Sequence, residues 1–296
     1  MEVALHRVEA DLGTWTVGRW SPAPADTLYG LVESMFYWDG LPALPRERTF
    51  PNARASLFLQ LDEPYRPGEG SVRDPYPALC VDGLLTESLV VEAPRSRARV
   101  IGIKLTPVGA IKILRTGLAD LACRTHDLES VVGKTARELG ARASSARNPR
   151  LAVASAVDWL RARVADSCAV AAEVAWIAGQ IESANGAVAT RSMMESVTGS
   201  PSRLSGAFRS HFGLSPKRLA RIVRFRRTLE LMTANGRTLA DVAILAGYYD
   251  QAHMSAEFKL HAGMTPSAFL AAQRYPGSAS LAEADGDDFS KTAATR

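Results

Sequence analysis

Cysteine is scarce. Cys80, Cys123 and Cys168 are the only three in 296 residues, an odd number, each more than 40 positions from the next. This excludes a disulfide framework and the paired cysteines of a structural zinc site, and it predicts a reducing, cytoplasmic home. Long hydrophobic runs are also missing. "SLVVEA" and "VAIL" are among the longest, far below the roughly 20 residues that cross a bilayer, so no membrane association is expected. The first residues, "MEVALHRVEADLG", carry acids and no apolar core, which predicts no secretory leader.

Chemistry-bearing motifs are equally thin. Of five histidines, only His6 and His126 precede residue 167, too few for a metal centre built on clustered His and carboxylate ligands. No Gly-x-Ser-x-Gly elbow occurs. "GKT" at 133–135 lacks the earlier glycine of a phosphate loop, because Leu128 stands there, and it is expected inside a helix. Cys80 and Cys123 fit buried apolar thiols better than nucleophiles. We expect no catalytic residues, no metal and no cofactor. One stretch tests that expectation: His253, Glu257 and His261 recur every fourth residue and could share a helix face.

What is present suits a soluble chain of two domains, at 47% hydrophobic and 22% charged. The net charge of +4 is unevenly placed: +1 over residues 1–166, +5 over 167–275 and −2 over 276–296. Six basic residues form one run: Lys217, Arg218, Arg221, Arg224, Arg226 and Arg227. Such a run suits either a polyanionic partner or a solvated helix face.

Residues 1–105 alternate short apolar runs with Pro/Gly turns. "ASLFLQLD", "ESLVVEA" and "ARVIGIKL" read as strands, and many short strands between Gly/Pro turns suggest a small barrel or sandwich. The period then changes to helical, with Thr106 as N-cap and Pro107 in the first turn. "DLESVVGKTARELGARASS" and "PRLAVASAVDWLRARV" follow as helices. Three parts result: residues 1–166 (strands to about 105, helices from 106), an all-helical 167–275, and a polar, acidic tail 276–296 expected to be disordered.

The helical part repeats itself. "LSGAFRSHFGLSP" (204–216) and "MSAEFKLHAGMTP" (254–266) match at an offset of 50, including Phe208/Phe258, Arg209/Lys259, His211/His261, Gly213/Gly263 and Pro216/Pro266. Each copy follows a cap-like residue, Ser200 or Asp250, and an apolar helix, which describes a tandem helix-turn-helix joined by a long basic helix. At 100° per residue, Leu204, Phe208 and His211 point inward in the first copy, and Met254, Phe258 and His261 in the second. Ser202, Ser205, Gly206 and Arg209, and Ala252, Ser255, Ala256 and Lys259, point outward. These outward sets are small or basic, as a helix entering a DNA major groove requires. His261, sharing the face of Phe258 and matched by His211, then reads as structural rather than as a metal ligand.

Segment 170–272 resembles the DNA-binding domain of the AraC/XylS family of bacterial transcription regulators. The residues carrying the resemblance are "SMMESVTGSPSRLSGAFRSHFGLSPKRLARIVRFRRTLELM" and "TLADVAILAGYYDQAHMSAEFKLHAGMTP", with Ala243, Gly247, Phe258, Gly263, Thr265 and Pro266 at signature positions. The resemblance implies seven helices, with two recognition helices entering successive major grooves of double-stranded DNA. It makes Ser202, Arg203, Ser205, Arg209, Gln251, Ala252, His253, Ser255 and Lys259 candidate DNA contacts, and Lys217, Arg218 and Arg224 candidate phosphate contacts. Two departures matter. Gly206 and Ala256 stand where relatives often carry a recognition-helix arginine, and Thr198 where the first turn usually has glycine. Shape and backbone contacts are therefore expected to carry more of the affinity.

The same resemblance implies an α+β chain whose N-terminal half is a small, cupin-like β-barrel serving as a sensor or dimerisation domain, with linker helices. "VESMFYWDG", "PNARASLFLQLDEPY" and "VIGIKLTPVGAIKIL" resemble the N-terminal domains of an AraC-like subgroup. The aromatic set Trp15, Trp20, Tyr29, Phe36, Tyr37 and Trp38 suits an apolar effector pocket, a core or a dimer seam. Expected partners are DNA, a small-molecule effector, a second copy of the chain and, for an activator, RNA polymerase. The competing reading is a small-molecule binder or enzyme that retains an AraC-like helical domain. A methyl-accepting DNA-repair protein sharing that domain is excluded, because its four-cysteine zinc site cannot be built from three.

Overall fold

Strict apolar alternation places Ala55, Leu57 and Leu59 on one side of a strand, all fully buried, with Ser56 and Phe58 on the other. That strand belongs to the sheet-rich N-terminal part of a computed structural model of the chain. The structure describes residues 4–10, 13–42, 44–69, 74–166, 169–197, 200–233, 236–273 and 291–293. The strands are β1 (Ala4–Ala10), β2 (Gly13–Trp20), β3 (Val32–Gly40), β4 (Arg46–Thr49), β5 (Ala55–Gln60), β6 (Arg66–Pro67), β7 (Leu79–Asp82), β8 (Leu89–Glu92), β9 (Ala98–Leu105), β10 (Thr125–Asp127) and β11 (Lys291–Ala293). A seven-stranded sheet runs β1-β2-β3-β9-β5-β7-β10, and a four-stranded sheet β11-β4-β8-β6. Gly102 on β9 faces Phe36 on β3. A side chain there would meet the Phe36 ring at 2.1 Å, so glycine lets that ring cross the neighbouring strand.

The expected barrel is not observed. Among the described residues the large sheet is open, with β1 and β10 as unpaired edges, and no strand joins it to the small sheet. Its inner face is buried by helices instead, so closure is not needed to cover it. These helices are α1 (Pro107–Leu114), α2 (Leu128–Val132), α3 (Thr135–Ser144) and α4 (Pro149–Ala165). Thr106 caps α1 by accepting the Gly109 N–H at 3.0 Å, with Pro107 in the first turn, as expected. Asp127 caps α2 and Asn148 caps α4 in the same way. The "GKT" stretch is not within one helix: Gly133 and Lys134 lie between α2 and α3, and Thr135 is the first residue of α3. Gly133, at φ +74°, ends α2 and separates it from α3.

Strand alternation also divides the aromatic set. Trp15 and Trp38, with Phe36 packed against them, cluster on one face, while Trp20 and Tyr37 enter the main core and Tyr29 lies 59% exposed. One pocket lined by all six is therefore ruled out. Cys80 is buried, Cys123 exposed, and Cys168 lies outside the described residues, as does Thr198. Of the tail 276–296, only Lys291–Ala293 is described, and it pairs with β4.

Seven further helices fill the described part of 167–275: α5 (Ala172–Ser183), α6 (Thr190–Glu195), α7 (Pro201–Phe212), α8 (Pro216–Thr233), α9 (Leu239–Leu245), α10 (Gln251–Ala262) and α11 (Pro266–Gln273). The main core runs without a break from the sheet through α1–α4 into α5, α7 and the start of α8. A second core joins the end of α8 to α9, α10 and α11, and it includes Phe50 from the N-terminal part.

Candidate nucleic-acid interface

Two helix-turn-helix units, α6–α7 and α9–α10, flank the long helix α8. In the second unit, Thr238 and Asp241 form a reciprocal capping box that starts α9. Gly247, at φ +78°, makes the turn, where an added side chain would meet Ala187 at 2.7 Å. Asp250 then accepts the His253 N–H at 2.7 Å and starts α10. In the first unit Ser200 caps α7 through the Arg203 N–H at 3.3 Å. Both second helices end on a left-handed glycine, Gly213 at φ +72° and Gly263 at φ +70°. Leu204, Phe208 and Phe212 are buried under α7, and Met254, Phe258 and Ala262 under α10. The units differ in anchorage: α9 buries Val242 and Ala243, whereas α6 buries no residue fully. At the repeat's offset, the counterpart of Gly247 is Val197 rather than Thr198.

The family model described as a helix-turn-helix domain matches residues 194–272. This segment is an AraC-type helix-turn-helix domain. Among solved structures, the C-terminal domain of AraT, a response regulator from Geobacillus stearothermophilus, is 22% identical. It covers 34% of this chain and 85% of its own, with a TM-score of 0.32. The DNA-binding domain of AdpA, a global transcriptional factor solved with a target DNA, is 19% identical, covering 35% and 95%, at 0.33. ToxT from Vibrio cholerae is 12% identical, covering 79% and 96%, at 0.42. No curated protein matches the chain.

Within the helix-turn-helix domain, the outward residues of both second helices, α7 and α10, are free of the core. Ser202, Arg203, Gly206 and Arg209 are exposed on α7, and Gln251, Ala252, His253, Ala256 and Lys259 on α10. Ser205 and Ser255 are half-exposed. Gly206 has open space where a side chain would begin, so nothing in the packing imposes glycine there.

Four of the six residues in the basic run are committed to ion pairs within the fold. Arg221 and Arg224 grip the two oxygens of Glu257 at 2.6 and 2.9 Å, and the Arg224 guanidinium lies over the Tyr248 ring at 4.6 Å. Arg226 pairs with Glu182 on α5 at 3.0 Å, and Arg227 with Glu230 at 3.0 Å. Only Lys217 and Arg218 are exposed, and Arg218 donates to the Thr86 hydroxyl at 3.0 Å. Arg224 is therefore removed from the phosphate-contact set: its charge is committed to a buried carboxylate and its side chain is 17% exposed.

The His253–Glu257–His261 row is resolved by the same contacts. Burial opposes ionisation of Glu257, but Arg224 and Arg221 outweigh it and hold its carboxyl below the usual range. His261 is buried, and its Nδ1 meets the Thr86 carbonyl at 2.7 Å; desolvation pushes the pKa of the ring down, against the pull of that bond. His253 stays at the surface, 3.8 Å from Glu257 and edge-on to Tyr248. Glu257 is thus a helix-docking carboxylate, a role not assigned from the sequence. Its signal was present: an inward acid on α10 opposite two arginines at i, i+3 on α8.

Proposed function

We propose that the chain is a sequence-specific, DNA-binding transcription regulator of the AraC type. The observation that carries this reading is the surface of α7 and α10: both present exposed, small or basic residues with no acid, while the one acid of these helices is turned inward and neutralised. Such a slim cationic face enters a major groove without charge repulsion. Arg203, Arg209, Gln251, His253 and Lys259 read base edges or phosphates, Ser202, Ser205, Ala252 and Ser255 approach the backbone or a thymine methyl group, and Lys217 and Arg218 meet phosphates. With Gly206 and Ala256 in place of arginine, DNA shape carries more of the selectivity. One chain engages two consecutive grooves, roughly 10 bp apart.

The N-terminal part serves as the regulatory half. A small apolar molecule is the effector class assigned to that half. Trp15, Val17, Trp38 and Val100 are buried, with Phe36, Phe58 and Tyr65 packed against them, and read as core rather than as its surface. An electrophoretic shift on DNA from upstream of the chain's own coding region tests the DNA reading. Arg209→Ala and Lys259→Ala are each expected to weaken binding by at least about 5-fold, roughly 1 kcal/mol. Tight binding unchanged by both removes the assigned faces, and no binding by the intact chain removes the function.

A further inference from the structure

The two recognition helices are held from behind at the same place. An α-helix leaves its last carbonyls without partners inside the helix. At the end of α7, the His211 carbonyl accepts the Leu118 N–H at 2.8 Å. At the end of α10, the His261 carbonyl accepts the Ser88 N–H at 2.8 Å. His211 and His261 are equivalent positions of the 50-residue repeat, and both donors belong to the N-terminal part. The grip on α10 is the more elaborate. The Ser88 hydroxyl donates to the Ala262 carbonyl at 3.0 Å and accepts from Arg48 at 2.9 Å, and the Thr86 carbonyl takes the His261 ring.

The second unit also borrows part of its core. Phe50, between β4 and β5, is fully buried with its ring edge-on to Phe225 at 6.3 Å and Phe269 at 5.6 Å. Those rings in turn contact Phe258 of α10 at 5.2 and 5.6 Å. Among the described residues, Phe50 is the one buried member of this cluster outside the helix-turn-helix domain. The outward faces of α7 and α10 remain exposed in this docked arrangement, so it leaves the DNA-facing surface open.

We propose that the N-terminal part sets the spacing and tilt of the two recognition helices, and that Phe50 is the positioning residue for α10. The DNA consequence rests on the function proposed above; the mechanical claim does not. Removing the Phe50 ring leaves Phe225, Phe258 and Phe269 around a cavity. It frees α9–α11 to shift relative to α7, whose own anchor at Leu118 is untouched.

The test uses the full chain and Phe50→Ala, with Phe50→Leu as the conservative variant. Hydrogen exchange measured by mass spectrometry is expected to quicken at least tenfold in the amides of 239–273 in Phe50→Ala. Exchange in 201–212 should stay unchanged, and Phe50→Leu should restore most of the protection. A uniform change over both units, or none in 239–273, overturns the proposal whether or not DNA is bound. On DNA selected for binding to the intact chain, Phe50→Ala should lose protection of the groove assigned by Lys259→Ala and keep that assigned by Arg209→Ala. Equal protection of both grooves refutes the positioning role. An intact chain that binds no DNA refutes only the proposed function.

Discussion

Replacing Glu257 by Gln tests whether the arginines of α8 are structural. In the native chain the Glu257 side chain is 9% exposed and each oxygen meets a guanidinium, at 2.6 Å from Arg221 and 2.9 Å from Arg224. Glutamine keeps the shape, but turns one arm of the fork into a donor facing a donor. Breaking a buried pair by removing one partner costs about 3–5 kcal/mol, because the remaining charge stays desolvated. Arg221, 32% exposed, can turn to water, whereas Arg224, 17% exposed beneath Tyr248, has less freedom. The lower end, about 3 kcal/mol, is therefore expected at pH 7. It should be read as faster native-state exchange in 239–273 and a lower urea midpoint of the helical circular-dichroism signal.

The pH dependence has a definite sign. The folded Glu257 carboxyl titrates below its usual 4.5, so the native state binds fewer protons than the unfolded one in that range. Its stabilisation is complete above pH 4.5 and is lost as the pH falls through the folded value. The gap between the native chain and Glu257→Gln should therefore be flat from pH 7 to 5 and narrow below 4.5. A loss under about 1 kcal/mol at pH 7, the worth of a surface pair, would refute the reasoning. So would a gap that widens in acid.

Two further predictions separate contact residues from scaffold. Lys217→Ala should lower the slope of log affinity against log salt by about 1, as one lost phosphate contact requires, while Arg224→Ala should weaken the fold and leave that slope unchanged. Gly206→Arg should be accepted by the open space at that position. It should stabilise α7 by up to about 1 kcal/mol through helix propensity and raise DNA affinity; weaker binding would show that α7 lies closer to DNA than this face allows.

The local elements were legible because their signals are local. Thr106 and Pro107, Asp250, the two αL glycines and the alternation of Ala55, Leu57 and Leu59 act within a few residues, and each appears where its chemistry predicts. The tandem repeat was legible for the same reason, since inward and outward positions follow from helical geometry and recur at an offset of 50. The barrel was not, because strand composition alone does not say whether a sheet closes on itself or is covered by helices. The aromatic set was misgrouped because neighbouring strand positions face opposite ways, which separates Phe36 and Trp38 from Tyr37.

The sequence by itself determined the helix-turn-helix units, their caps and the non-acidic faces of α7 and α10. Only the tertiary structure decided what the charges and the hidden ends of those helices do. Arg224 looks like any basic residue until Glu257, 33 positions away, is brought to 2.9 Å. Phe50, Thr86, Ser88 and Leu118 carry no motif, and their roles exist only because folding places them against helices more than 90 residues later. Long-range ion pairs and shared cores depend on which surfaces meet, and the chain order does not record that.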